Sequence, residues 1–495
     1  MPNRKTSGSV ACDKCSAHVP RLSESCPCCG ATDFNPRLLT ARVAEDLVAG
    51  TPFLSAADFT HLHPRAAEIL KQYKGDLELN AVESLSVSSA RSLSQRRGNL
   101  SLNGLEKPPA AIIAIIASTN GGLRLSGIQN LSAPDAEALG CHPGQFLELN
   151  GLVRLTDAAA AGLAKHKGLR LFIDGLSTMR ASTAQALTKH QGHLSLGGLS
   201  EINERTAKAL AQHRGGCLRL GTLRHVDQPT ARGLARYDGE LYLGVSGDLG
   251  HLAASEFSKH KGRLWIAGGN FLTHPTIEVL ARHSGPFLAL GNFHAARDIG
   301  QKTQRASTNT NTAEFWIGGI STLSPETARC LIQHGNGQGS IHLVGTTELS
   351  PETALTLSAH RGELHLDSLR CIDARTASML SDYRGTLLSL DGLTTLTLGA
   401  ARALSRYKGV LSLGGFESIT TPIARAIATH QGPELRLEAL RSIATQPAMA
   451  LLQHEGRLVL PGVDAFPSPV LPALSKRAGR TALAPWIKLS TSTVG

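Results

Sequence analysis

Five of the nine cysteines fall between Cys12 and Cys29, as Cys12-Asp13-Lys14-Cys15 and then Cys26-Pro27-Cys28-Cys29-Gly30. Each C-x-x-C turn presents two thiolates from one tight loop, and two such turns complete the tetrahedral soft-ligand set that zinc requires. Pro27 fixes the entry to the second turn, and Gly30 lets the backbone close under the sulfur. The expected ligands are Cys12, Cys15, Cys26 and Cys29, with Cys28 as the spare and His18 as a weaker substitute. Four protein ligands leave no coordination position for water, so the Zn2+ expected here is structural, a redox or catalytic role being the lesser alternative. The remaining four, Cys141, Cys217, Cys330 and Cys371, are scattered singly. Cysteine use of this kind suits a reducing compartment, and a cytoplasmic location is expected.

The twenty histidines are the second candidate for chemistry. Ten of them, His142, His166, His190, His213, His260, His283, His334, His360, His430 and His454, share one slot, two residues before a glycine or its equivalent. Tyr73, Tyr237, Tyr383 and Tyr407 fill the same slot elsewhere. A position that accepts His and Tyr alike calls for a flat ring with a polar edge packed over a helix end, which is a packing role and not an acid–base or metal role. No nucleophile elbow, phosphate loop, HExxH or dinucleotide fingerprint occurs, and no acidic pair stands apart from the repeat described next. No catalytic residue is assigned, and the chain is expected to be non-enzymatic.

The elements that carry these residues recur. An apolar residue opening an L-x-L segment stands at Leu77, Leu100, Leu123, Leu147, Leu171, Leu194, Leu218, Leu241, Leu264, Leu288, Phe315, Ile341, Leu364, Leu388, Leu411, Leu435 and Leu458. The intervals are 23 or 24 residues, except for 27 and 26 on either side of Phe315. L-x-L has the two-residue period of a strand with both apolar side chains on one face. A short polar turn follows, with Ser132, Thr156, Ser324 and Ser350 as helix N-caps. A short helix then buries pairs such as Ala184 with Leu187 and Ala377 with Leu380. Gly192, Gly215, Gly239, Gly362, Gly385 and Gly409 are expected to end the helices in the left-handed conformation.

A unit this short buries its apolar face only by stacking on its neighbours. From about residue 54 to 463 the pattern resembles the leucine-rich-repeat superfamily, most nearly its bacterial 23-residue type with an A-x-x-L helix. The resemblance implies an α/β solenoid: a long parallel sheet on one side and short helices on the other. The paired cysteine turns resemble a zinc ribbon, over about residues 10 to 32. The expected organisation is a zinc-ribbon-like module over 1–35, a linker or N-terminal cap over 36–53, the repeat array over 54–463, and a C-terminal cap and tail over 464–495. Most members of the superfamily carry Asn where this chain has Gly198, Gly319 and Gly415, so the asparagine ladder is expected to be largely missing. Between Phe293 and Phe315 the helix signature is lost in a Thr-, Asn- and Arg-rich stretch, expected to form an irregular loop on the helix side.

The net charge is +11, and sixteen Lys and Arg residues flank the His/Tyr slot against three acids, Asp238, Asp382 and Glu455. Among them are Arg96, Lys165, Lys167, Lys189, Arg214, Arg236, Arg361, Arg384, Arg406 and Lys408. Cations in a last helical turn complement the macrodipole, which is sufficient reason for them. Stacked into an edge, they also make nucleic acid the alternative partner to protein. No apolar run is long enough for a signal peptide or a membrane span, so no membrane association is expected. The middle residues of L-x-L should point away from the core and align in a row, which places Tyr242, Trp265 and Trp316 close together on the open sheet face with Arg219, His342 and His365 at the margins. Exposed Trp and Tyr anchor interfaces, so this row is the expected protein-binding site.

Overall fold

A computed structural model of the chain describes residues 9–11, 18–20, 38–50, 55–268, 273–291, 313–333 and 337–483. The chain divides into two compact units, Met1–Val245 and Ser246–Gly495. The first unit opens with an antiparallel hairpin of β1 (Ser9–Ala11) and β2 (His18–Pro20). In the sequence its two strands flank the first C-x-x-C motif, whose cysteines, like those of the second, lie outside the described residues. Next, β3 (Leu38–Leu39) pairs in parallel with β4 (His61–Leu62), with helix α1 (Ala41–Val48) between them. The described part of the segment read as a linker or cap is therefore itself a strand–helix unit. Eight further parallel strands follow in this unit, from β5 (Leu77–Glu78) to β12 (Glu240–Val245). In the second unit ten parallel strands run from β13 (Leu264–Ala267) to β22 (Thr481–Leu483).

Within each unit the register is the one the repeat implies. Leu77 faces Leu100, Leu100 faces Leu123 and Leu218 faces Leu241 in the first unit. In the second, Leu288 faces Phe315, Phe315 faces Ile341 and Leu435 faces Leu458. Those side chains are buried, as are the second apolar residues of the motif such as Leu196, Leu366 and Leu437. The helices between strands are mostly seven residues long and cannot persist alone. They hold because Ala184 and Leu187, or Ala377 and Leu380, are wholly buried against neighbouring turns. Their N-termini are capped as expected: Ser132, Thr156, Ser324 and Ser350 accept from the backbone N–H groups of Asp135, Ala159, Thr327 and Thr353 at 3.1–3.2 Å.

Two expectations about backbone chemistry are overturned. Gly192, Gly215, Gly239, Gly362, Gly385 and Gly409 are not left-handed; the positive-φ glycines described are Gly50, Gly268, Gly291, Gly319, Gly337 and Gly345. The slot glycines are needed for close approach instead: a Cβ on Gly215 would stand 1.9 Å from the carbonyl oxygen of Gly192, and one on Gly362 1.9 Å from that of Gly339. A polar ladder is also present, at the position one residue before that of Gly198 and Gly415. Asn103 Oδ1 accepts from Ser126 N at 2.8 Å, Asn150 Oδ1 from Asp174 N at 2.9 Å and Asp174 Oδ1 from Gly197 N at 2.6 Å. In the second unit Asp391 Oδ1 accepts from Gly414 N at 2.6 Å. Gly198 and Gly415 are small because a Cβ there would stand 1.9 and 2.3 Å from the carbonyl oxygens of Asp174 and Asp391.

Candidate functional site

The histidine slot forms buried ring columns. In the first unit His142, His166, His190, His213 and Tyr237 stack with centroids 5.6–6.4 Å apart. In the second, His360, Tyr383, Tyr407, His430 and His454 stack at 5.6–6.4 Å. One polar atom of each ring except His454 bonds a backbone carbonyl. Tyr237, Tyr383 and Tyr407 donate to Gly215, Gly362 and Gly385, while His213 and His430 Nε2 bond Gly192 and Gly409 at 3.0 Å. His166 and His190 use Nδ1 on the carbonyls of His142 and His166. The second nitrogens of His166, His190, His213 and His430 are buried without a hydrogen-bond partner. These rings are neutral packing residues, held so by burial, which pushes His166 and His430 down to about 4. Their inaccessibility leaves them nothing to do with a substrate.

Arg96 occupies the same slot and does not belong to the charged edge. It is fully buried and donates to the backbone carbonyls of Tyr73, Gly75, Gly98 and Asn99. Arg477 plays the same part in the second unit, donating to the carbonyls of Leu452, His454 and Gly456. Both lie two residues before a glycine, and that spacing was legible; a guanidinium serving as a ring substitute was not.

The expected sheet-face row is divided between the units. Arg219 and Tyr242 sit side by side in the first. Trp265, Trp316, His342 and His365 belong to the second. The expectation that the row is exposed is corrected: Trp265 is 5 % exposed, Trp316 3 % and His342 6 %. The cause is lateral stacking between closely spaced strands. Trp316 lies flat on His342 with centroids 3.8 Å apart, and His342 lies flat on His365 at 4.0 Å. Trp265 leans on Phe287 at 4.5 Å, and Arg263 covers the Phe287 ring. Serines in the row are drawn down in another way, Ser389 and Ser412 donating to Asp367 and Asp391 in the turns that follow the preceding strands.

Carboxylates border the ring stack in the second unit. Glu314 accepts from Trp316 Nε1 at 3.2 Å, while Glu363 and Asp367 stand 3.5 and 3.8 Å from the two nitrogens of His365. The contact with His365 also holds the Glu363 carboxyl below its ordinary range. Unlike Trp316 and His342, these side chains are partly open to solvent, as is His365. Among the described residues no group of three or more His, Cys, Asp or Glu side chains is placed to hold a metal. Cys217 is buried, its thiol pushed up to about 12 by that burial, and is not a nucleophile. No helix among the described residues is long and apolar enough to cross a membrane. The Thr-rich stretch before Phe315 lies almost wholly outside the described residues, as does His334.

No protein-family model matches the chain, and no curated protein matches it. Among solved structures it is similar to a leucine-rich-repeat protein of Leptospira interrogans, at 15 % identity and a TM-score of 0.36, over 85 % of this chain and 98 % of that one. It is also similar to an internalin of Listeria monocytogenes, at 12 % identity and a TM-score of 0.32, over 86 % of this chain and 95 % of that one.

Proposed function

We propose that this chain is a non-enzymatic binding scaffold and that its second unit meets a protein partner through the sheet face opposite the helices. The observation that carries the proposal is the continuous stack Trp316–His342–His365, bordered by Glu314, Glu363 and Asp367. Parallel register fixes these rings on three successive strands, giving a rigid floor whose open rim is acidic. Such a rim favours basic side chains on the partner, and a preorganised floor lowers the entropy lost on binding. Trp265 lies two strands before Trp316 in the same row and extends this floor. Arg219 and Tyr242 offer the corresponding face of the first unit.

A photo-crosslinking residue in place of Glu363 should capture the partner from the source cell, while the same residue in place of Arg402, exposed on the helix layer, should not. The captured species should survive nuclease treatment. Equal capture at both positions would remove the sheet face from consideration. Trp265→Ser and Trp316→Ser are poor probes, because both rings are buried and their loss should lower stability as well as binding.

The N-terminal module is proposed to hold one structural zinc on Cys12, Cys15, Cys26 and Cys29. Its support is the paired C-x-x-C spacing. Purified protein should carry zinc in equimolar amount, and Cys26→Ser should lose it while the repeat units keep their far-UV signal, since each has its own core. Full zinc content in Cys26→Ser would refute the ligand set.

A further inference from the structure

In the second unit, the edge on which the ring column ends carries a hollow of about 780 Å³. Its lining includes Arg384, Arg406 and Lys408, with Asp382 as the one acid. All three cations are exposed. Two cations elsewhere along the edge of this unit are paired with acids: Lys259 with Glu256 at 2.9 Å and Arg282 with Glu278 at 3.0 Å. Around the hollow no salt bridge is described for Arg384, Arg406 or Lys408; Arg406 reaches only the Ser378 hydroxyl at 2.9 Å. One rung earlier, Arg361 adds a fourth exposed cation.

We propose that this hollow binds the phosphate backbone of a single-stranded nucleic acid. The rungs beneath it, His360, Tyr383 and Tyr407, repeat at 6.4 and 5.7 Å, so the cations beside them follow a line with a repeat of the same order as that of phosphates along an extended strand. Guanidinium groups match phosphate oxygens in two-point geometry, and Lys408 adds a point charge. The volume exceeds that needed for one phosphate, which favours a chain over a single anion. The rings offer bases nothing to stack on, because Tyr383 and Tyr407 are buried with their hydroxyls on Gly362 and Gly385. Recognition is therefore of backbone alone, without sequence preference.

The test is fluorescence anisotropy of the full chain with short labelled oligouridylate and oligocytidylate, titrated with KCl. Both should bind equally, with an affinity that falls steeply as salt rises. The triple variant Arg384→Gln, Arg406→Gln, Lys408→Gln should raise Kd about tenfold or more at low salt. It should also flatten the log–log salt slope by about 2, at roughly 0.7 for each phosphate no longer neutralised. Its far-UV spectrum should be unchanged, because the replaced groups are exposed. Unaltered affinity in the triple variant would overturn the proposal. So would equal affinity for heparin, which would show a general ion-exchange surface, or a strong preference between the two oligonucleotides.

Discussion

Lowering the pH from 7 to 5 should destabilise both units steeply, while most ordinary carboxylates are still ionised. The cause is the histidine column. His166 and His430 are held at about 4 by burial, and His142, His190, His213 and His454 are lowered in the same direction for the same reason. In the unfolded chain each titrates near 6.5, so the unfolded state takes up protons first as the pH falls. Stability is therefore complete above about pH 6.5 and is lost progressively towards pH 4. For His166 and for His430, the gap between 6.5 and about 4 corresponds to about 3 kcal/mol each by pH 4, with smaller losses at the other rungs. Protonation would also place a second N–H where no acceptor exists, because the other nitrogens of both rings are buried and unpartnered. Tyr occupies equivalent rungs at 237, 383 and 407, donating to the same kind of glycine carbonyl. The double variant His166→Tyr, His430→Tyr should thus lose less stability than the wild type between pH 7.5 and 4.5, measured as urea midpoints at the two pH values. An identical pH dependence in the two proteins would exclude the column as the cause.

What the sequence disclosed, and what it hid, follows from the range of each interaction. The strand register was legible because L-x-L repeats with few interruptions and a parallel ladder aligns like with like, Leu364 on Leu388 and Leu411 on Leu435. The caps at Ser132, Thr156, Ser324 and Ser350 were legible because capping is settled within three residues. The packing role of the His/Tyr slot was legible from its tolerance of two ring types. Contacts between one repeat and the next were not. The ladder through Asn103, Asn150, Asp174 and Asp391 uses polar side chains of varied type, joined to residues about 23 positions away, and no local pattern marks it. The burial of Trp316 and His342 had the same origin: alternation says which way a side chain leaves the strand, whereas its exposure depends on the rings of the adjacent strands. That the row is divided at Val245 is a matter of tertiary contact on which the repeat period is silent.

Gly215→Ala should be among the most damaging single substitutions in the first unit, although it adds one methyl group to a residue of ordinary φ. Helix-ending glycines are usually explained by a left-handed backbone, and there alanine costs about 1 kcal/mol. Gly215 is not left-handed, and its constraint is distance. An added Cβ would stand 1.9 Å from the Gly192 carbonyl oxygen and 2.5 Å from His213 Nε2. That carbonyl is the acceptor for His213 at 3.0 Å, so relief by moving it would break the bond that seats the ring. Moving the chain at Gly215 instead would draw its own carbonyl away from the Tyr237 hydroxyl, which donates to it at 2.5 Å. The strain therefore cannot be confined to one repeat, and neighbouring repeats in a stack depend on each other for stability. A loss of about 3 kcal/mol or more is expected, at the upper end of overpacking effects. Gly250→Ala provides the control: no atom lies within 4 Å of a Cβ there and φ is −58°, so the change should stay within about 0.5 kcal/mol. Urea unfolding compares the two variants. Amide hydrogen exchange should localise the first loss of protection in Gly215→Ala to the strands His193–Leu196, Cys217–Leu223 and Glu240–Val245. If both alanine variants were equally stable, the glycine in the slot would owe its place to something other than the neighbouring carbonyl.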